Sequence, residues 1–211
     1  MNWMTNNQPQ TPPPQHLYPG RCRRCYMREE VCICANIPQI DNQTFVTVIM
    51  HYRENKKTTN TARIANLSLS NSRIFLRGEK DNPLDLSGIH FSERQSLLLT
   101  LSDRAEILTQ EFAHSFNKPL HLIVPDGNWR QASRIGKREP ELKDTPWVKL
   151  PPGPKSCYKL RREHHPEGLS TLEAIARALA LVESPQIENE LMKVFCLMVE
   201  RTLSTRPPIN P

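Results

Sequence analysis

Two short apolar runs constrain this chain more than anything else in it. Phe45–His51 (FVTVIMH) and Leu120–Pro125 (LHLIVP) are rich in β-branched residues. They are too short for buried helices and too continuous for strands with one wet face, so each predicts a strand buried on both sides. Each also breaks off into polar residues and then a helical pattern. The first leads to a helix over Thr59–Leu67, capped by Thr59 or Asn60, with Ala62, Ile64 and Ala65 inside. The second leads past Asp126-Gly127 to a helix over Asn128–Arg138, with Asn128 as its cap. Further strands are predicted at Arg73–Leu76, Ser96–Leu101 and Trp147–Leu150, and a helix at Thr109–Phe116. Ser170-Thr171-Leu172-Glu173 is a capping box that opens an alanine-rich helix running to about Val182. Pro185 starts a last helix, whose Ile187, Leu191, Val194, Phe195 and Met198 recur at helical spacing. Strands alternating with helices predict an α/β domain with a mainly parallel sheet flanked by helices.

Composition refines this picture at the ends and in one basic stretch. Of the 19 prolines, eight fall in the first twenty and last five residues, and the first twenty carry no charged side chain. Residues 1–20 and 206–211 are therefore expected to be extended, mobile tails around an ordinary core. Residues 1–20 also lack the basic and apolar regions of a secretory leader, and no run is long enough to span a membrane. A reducing cytoplasm is the expected compartment. The net charge of +6 is unevenly spread: residues 130–162 hold ten basic side chains against three acidic ones. Such a stretch is either a solvated face or a surface that follows nucleic-acid phosphates.

Cys22, Cys25, Cys32 and Cys34 form a C-x2-C-x6-C-x-C cluster. Four thiols on so short a segment suit a closed tetrahedral Zn²⁺ site, and a 4Fe–4S cluster would use the same ligands. Arg21, Arg23, Arg24 and Arg28 interleave with them. They either contact RNA, as small zinc modules do, or offset the net negative charge of a four-thiolate site. Cys157 and Cys196 stand alone.

Ligands of open α/β sheets bind beyond the carboxyl ends of the strands. Three segments qualify: Asp126-Gly127-Asn128-Trp129, His51-Tyr52-Arg53-Glu54 with Asn60-Thr61-Ala62-Arg63, and Tyr158–His165 followed by the Ser170–Glu173 box. Asp126 projects from a strand end, and Gly127 lets backbone approach a ligand. Trp129 either stacks on a base or walls the pocket. The adjacent His164-His165 pair reads as loop, with Pro166 and Gly168 close behind.

Taken in order, the cysteine cluster, Asn60–Arg63, Asp126–Trp129 and Ser170–Ala174 resemble the DTW-domain proteins, over about residues 21–203. Within that family the bacterial tRNA-uridine aminocarboxypropyltransferases are the nearer likeness. One departure is plain: Asn128 stands where the signature Asp-x-Thr-Trp has Thr, and Asn serves equally as a helix cap. The resemblance implies a SPOUT-like, knotted catalytic domain at 45–205 behind a zinc-binding segment at 21–44. It implies S-adenosyl-L-methionine as donor and tRNA as partner, with no membrane and no obligate protein partner. The reaction it implies moves the 3-amino-3-carboxypropyl group to N3 of a uridine in the tRNA variable loop, leaving methylthioadenosine. On this basis Asp126 is the first candidate for the general base and Glu173 the second. Arg161 or Arg63 would hold the donor carboxylate, and Asn60, Thr61, Gly127, Trp129, Ser170 and Thr171 would complete the donor site. The competing expectations are a SPOUT-like RNA methyltransferase and a zinc-dependent RNA-binding module without catalysis.

Overall fold

The computed structural model describes residues 19–79, 83–160 and 168–205. The N-terminal tail to residue 18, the tail from 206, and Arg161, His164 and His165 lie outside the described residues.

The two apolar runs are the centre of a six-stranded, all-parallel sheet. In chain order the strands are β1 (Phe45–His51), β2 (Ser72–Arg77), β3 (Gln95–Leu99), β4 (Glu106–Ile107), β5 (Leu120–Asp126) and β6 (Trp147–Lys149). Their order across the sheet is β2-β1-β5-β3-β6-β4. β1 and β5 thus lie side by side with covered neighbours, which is why both are apolar on both faces. Met50 is paired with Asp126 in register, so the polar ends of the two strands finish together. The helices are α1 (Tyr52–Asn55), α2 (Thr61–Ser68), α3 (Gln110–His114), α4 (Trp129–Arg138), α5 (Thr171–Val182) and α6 (Pro185–Ser204).

One face of the sheet, through Val46, Val48, Leu122, Val124 and Leu97, packs against α2, α5 and α6. The cysteine segment joins this same core through Cys25, Met27 and Ile33. The opposite face, through Ile49, Leu98 and Ile123, is covered by Ile135 of α4 with Leu86 and Ile89. Helix α4 comes close because it has a glycine at the contact. A β-carbon on Gly136 would lie 2.4 Å from Leu98 Cδ2.

Compared with the sequence expectations, β1 is as predicted and Asn60, not Thr59, caps α2. β5 runs one residue further, to Asp126, and β3 stops at Leu99. The short β4 and α1 were not expected. β4 is two exposed residues at a sheet edge, with no alternation to announce it.

At the amino ends of the strands the second face holds a buried polar chain. Arg73 Nε donates to Thr47 Oγ1 (3.1 Å), so the Thr47 proton is left for His121 Nε2 (2.8 Å). His121 then carries its proton on Nδ1 and donates to Ser96 Oγ (3.0 Å). Ser96 in turn serves His90 Nδ1 (2.8 Å), whose Nε2 donates to the Glu141 carbonyl (2.7 Å). Burial, with Arg73, His90 and Arg94 nearby, lowers the His121 pKa to about 3. The imidazole is therefore neutral in the fold, whereas the unfolded chain takes up a proton below about pH 6.5. Between about pH 6.5 and 3 the unfolded state binds the extra proton, so stability falls as pH falls. Urea unfolding should show a slope of about 1.4 kcal/mol per pH unit from this group across that window, and His121→Gln should remove that component.

Candidate active site at the strand ends

Asp126, the last residue of β5, is only 6% exposed. Its Oδ2 accepts from Asn60 Nδ2 at 2.9 Å and its Oδ1 from Thr171 Oγ1 at 2.5 Å. Asn60 is the cap of α2 and accepts Arg63 N at 2.8 Å through its other side-chain atom. Thr171 is the first residue of α5. One carboxylate therefore meets the first turns of two helices, whose unpaired N–H groups and dipoles favour negative charge there. The two helix starts also touch each other, since Leu172 N donates to Thr61 Oγ1 at 3.4 Å. Asn60, Thr61, Asp126, Ser170 and Thr171 are thus brought together from three distant segments.

Gly127 follows at once, and a β-carbon there would lie 2.9 Å from Gln131 Cβ and 3.6 Å from His51 Cβ. Asn128 caps α4 in a full capping box with Gln131. Trp129 is the first residue of α4, directly after that cap. His51, which the sequence reading left without a role, ends β1 beside Gly127, and its Nδ1 accepts Arg53 N at 3.3 Å. Burial, then the charges of Arg53 and Arg77, lower its pKa. Its signal in the sequence was its place at the carboxyl end of an apolar run.

Glu173 has a different kind of environment. Its Oε2 accepts from Ser156 Oγ (2.7 Å) and Ser170 N (2.9 Å), and its Oε1 from Cys157 N (2.9 Å) and Cys157 Sγ (3.4 Å). Burial alone would push this carboxyl up, but those hydrogen bonds outweigh it and hold the pKa below the usual range. Four donors make it a poor proton acceptor and a good tether of loop 156–157 to the start of α5. Tyr158 extends the tether, its hydroxyl donating to the Thr59 carbonyl at 2.6 Å.

Arg63 is 3% exposed. Its guanidinium donates to the Asn55 carbonyl, to Asn55 Oδ1 (2.9 Å) and to the Lys57 carbonyl (3.2 Å). It also stacks on the Tyr26 ring, 3.7 Å from the centroid. Tyr26 lies between Cys25 and Met27 with a left-handed backbone (φ 64), and its N–H donates to the Cys22 carbonyl at 2.9 Å. The cysteine turn is therefore linked through Tyr26 and Arg63 to the cap that holds Asp126.

The four sulfurs of Cys22, Cys25, Cys32 and Cys34 all lie within 4.8 Å of one another. Cys22 and Cys34 are 3.5 Å apart and Cys25 and Cys32 3.7 Å. A tetrahedron with metal–sulfur bonds of 2.3 Å has edges of about 3.8 Å, so the cluster fits one ion. It is too tight to surround four irons and four sulfides. Burial pushes the Cys25 and Cys34 thiols up, while backbone N–H groups of Cys25 and Arg24 hold Cys22 down to about 7 despite its burial. Only a cation at the centre lets all four ionise together.

An open parallel α/β sheet, a polar cluster at the carboxyl ends of its central strands and a four-thiol cluster define an α/β protein with a candidate site at its strand ends. The chain belongs to the DTW domain family, whose model matches residues 20–203. It is 31% identical over 184 residues to tRNA-uridine aminocarboxypropyltransferase 2 of Drosophila melanogaster, covering 82% of this chain and 71% of that protein. The proteins of the same name from Macaca fascicularis and Mus musculus are 27% and 26% identical over 177 residues. Those matches cover 81% of this chain and 59% of each mammalian protein. No solved structure matches.

Two outcomes are expected from this geometry. Elemental analysis should find one metal ion per chain, and Cys25→Ser should abolish it with a clear fall in Tm. In a double-mutant cycle, Tyr26→Leu and Arg63→Lys should be non-additive by at least about 0.5 kcal/mol in urea unfolding, as expected for residues in direct contact.

Proposed function

We propose that this chain transfers the 3-amino-3-carboxypropyl group of S-adenosyl-L-methionine to N3 of a tRNA uridine; its relatives are named for aminocarboxypropyl transfer to tRNA uridine. The observation that carries the reading is the buried Asp126 carboxylate between two helix starts, in a chain of the DTW family. The donor offers three activated carbons, and this reaction needs the substituted methylene, so the site works mainly by orientation. Asn60, Thr61, Ser170 and Thr171 line the strand ends, where the missing side chain of Gly127 lets Gln131 pack close to the backbone. Arg63 is engaged with Asn55, Lys57 and Tyr26. This favours Arg161 for the donor's carboxylate.

In the chemical step the N3–H bond of the uridine breaks and its proton passes to Asp126. N3 bonds to the donor methylene, and the carbon–sulfur bond gives its electrons to the sulfonium, which leaves as the neutral thioether methylthioadenosine. Asp126 is preferred to Glu173 as base because Glu173 already accepts four hydrogen bonds. Zn²⁺ is the ion we assign to Cys22, Cys25, Cys32 and Cys34, where it would hold the 21–44 segment against the 45–205 catalytic domain. Exposed Arg134, Lys137, Arg138 and Lys143 along and after α4 supply phosphate contacts for tRNA. Reduced thiols and a tRNA substrate suit the cytoplasm. Among the described residues no helix is long and apolar enough to cross a membrane.

Incubation with the donor and unmodified tRNA should yield aminocarboxypropyluridine and methylthioadenosine in equal amounts by mass spectrometry. A methylated base with S-adenosylhomocysteine would overturn the reading. Asp126→Asn should lower kcat by about 10²–10⁴ while tRNA affinity stays within twofold. Activity within tenfold of the parent would remove Asp126 from the role of base.

A further inference from the structure

A groove of about 290 Å³ opens where the cysteine segment, the turn before α2 and the end of α6 meet. Arg21 and Arg28 form one wall, Thr58 and Thr59 a second, and Thr202 and Thr205 a third. Two apolar residues of the cysteine segment complete the lining, which includes no carboxylate. Arg201 secures the third wall, since its guanidinium donates to the Cys32 carbonyl and to Asn36 Oδ1 (3.3 Å).

The walls differ in what they offer. Guanidinium groups only donate, and they carry charge. Arg21 uses one N–H on the Tyr26 carbonyl at a long 3.4 Å, and Arg28 is exposed. At the end of α6, Thr202 Oγ1 donates to the Met198 carbonyl (2.7 Å) and Thr205 Oγ1 to the Thr202 carbonyl (2.9 Å). With their protons given to the helix, both hydroxyl oxygens can only accept from a ligand, and the last carbonyls of α6 have the same polarity. A simple anion would leave the acceptor wall unmatched, and a simple cation would be repelled by the arginines. The groove fits a ligand with an anionic end and a hydroxyl donor a few ångströms away, and its volume suits one nucleotide rather than a duplex.

We infer that this groove seats one nucleotide of the tRNA backbone, with its phosphate against Arg21 and Arg28 and its ribose 2′-hydroxyl toward Thr202 and Thr205. The inference rests on tRNA being the substrate. Its location supports it. Thr58 and Thr59 immediately precede Asn60, the cap bonded to Asp126, so the groove adjoins the strand-end site. It belongs to the α2–α6 face of the sheet, and the basic helix α4 covers the other face. An RNA laid across the carboxyl edge of the sheet meets both. The 2′-hydroxyl contact would also distinguish RNA from DNA at this point.

The test uses the full-length, metal-loaded protein and tRNA binding over a range of salt concentrations. Arg28→Gln should weaken tRNA binding about tenfold and reduce the slope of log K against log salt by about one. Thr202→Val with Thr205→Val should narrow the preference for tRNA over DNA of the same sequence, leaving the salt slope unchanged. Donor affinity by calorimetry and metal content should be unaltered in both variants. If the unsubstituted chain binds tRNA and Arg28→Gln binds it equally well with the same slope, the groove is not an RNA site. Loss of metal or donor binding in Arg28→Gln would show a structural role and overturn the proposal as well. An unchanged RNA preference in the threonine variant would refute the ribose contact. Failure of the unsubstituted chain to bind tRNA would overturn the functional reading together with the groove.

Discussion

A carboxylate taken out of water must be compensated by its surroundings, and Asp126 sits where three segments can do so only by converging. Its backbone belongs to the central strand β5, its Oδ2 is met by the α2 cap and its Oδ1 by the first residue of α5. Neither helix start is an obvious partner for the other, since each carries the positive end of a dipole. The negative charge between them makes their approach favourable, and the Leu172–Thr61 hydrogen bond follows from it. These contacts fix how the starts of both helices meet at the strand ends, while the apolar core packs α2, α5 and α6 on the sheet. The group most suited to chemistry is also a group that holds the architecture.

The cysteine segment is part of this arrangement rather than an appendage to it. Its apolar residues share the main core, Arg201 of α6 holds its carbonyls, and Tyr26 is stacked under Arg63. Arg63 in turn fixes the loop between α1 and α2, from which the Asn60 cap emerges. A structural ion in the four-thiol site would therefore set the strain-prone left-handed turn at Tyr26 and, through one guanidinium, the orientation of the amide that binds Asp126. The four-thiol cluster and the candidate site are separated by a short series of direct contacts.

The sheet and the convergence of the candidate site were legible in the sequence where they follow local rules. Continuous β-branched runs marked β1 and β5, and side-chain caps marked the starts of α2, α4 and α5. Since the capping residues are themselves residues of the candidate site, reading helix starts also pointed to Asn60, Ser170 and the neighbourhood of Asp126. What stayed hidden depends on non-local partners. Glu173 looked like an acid–base candidate, but its four donors include Ser156 and Cys157, which no spacing rule ties to it. Nor does any local pattern place Tyr26, 37 positions earlier in the chain, beneath Arg63. The buried His121 chain was equally invisible, because its members come from separate strands and loops.

All six strands of the sheet run parallel, so no two neighbours are joined by a hairpin. The pairing of β1 with β5 must bring together residues more than seventy positions apart, and the Asn60–Asp126 and Asp126–Thr171 contacts close comparable loops. Chains dominated by such distant pairings reach their native state slowly, because the entropy of loop closure is lost before the contacts form. The strand-end site therefore has no precursor in any fragment of the chain. It is completed only when α5, which follows both α2 and β5 in the chain, docks on them, so on the ribosome it cannot form before α5 has been synthesised.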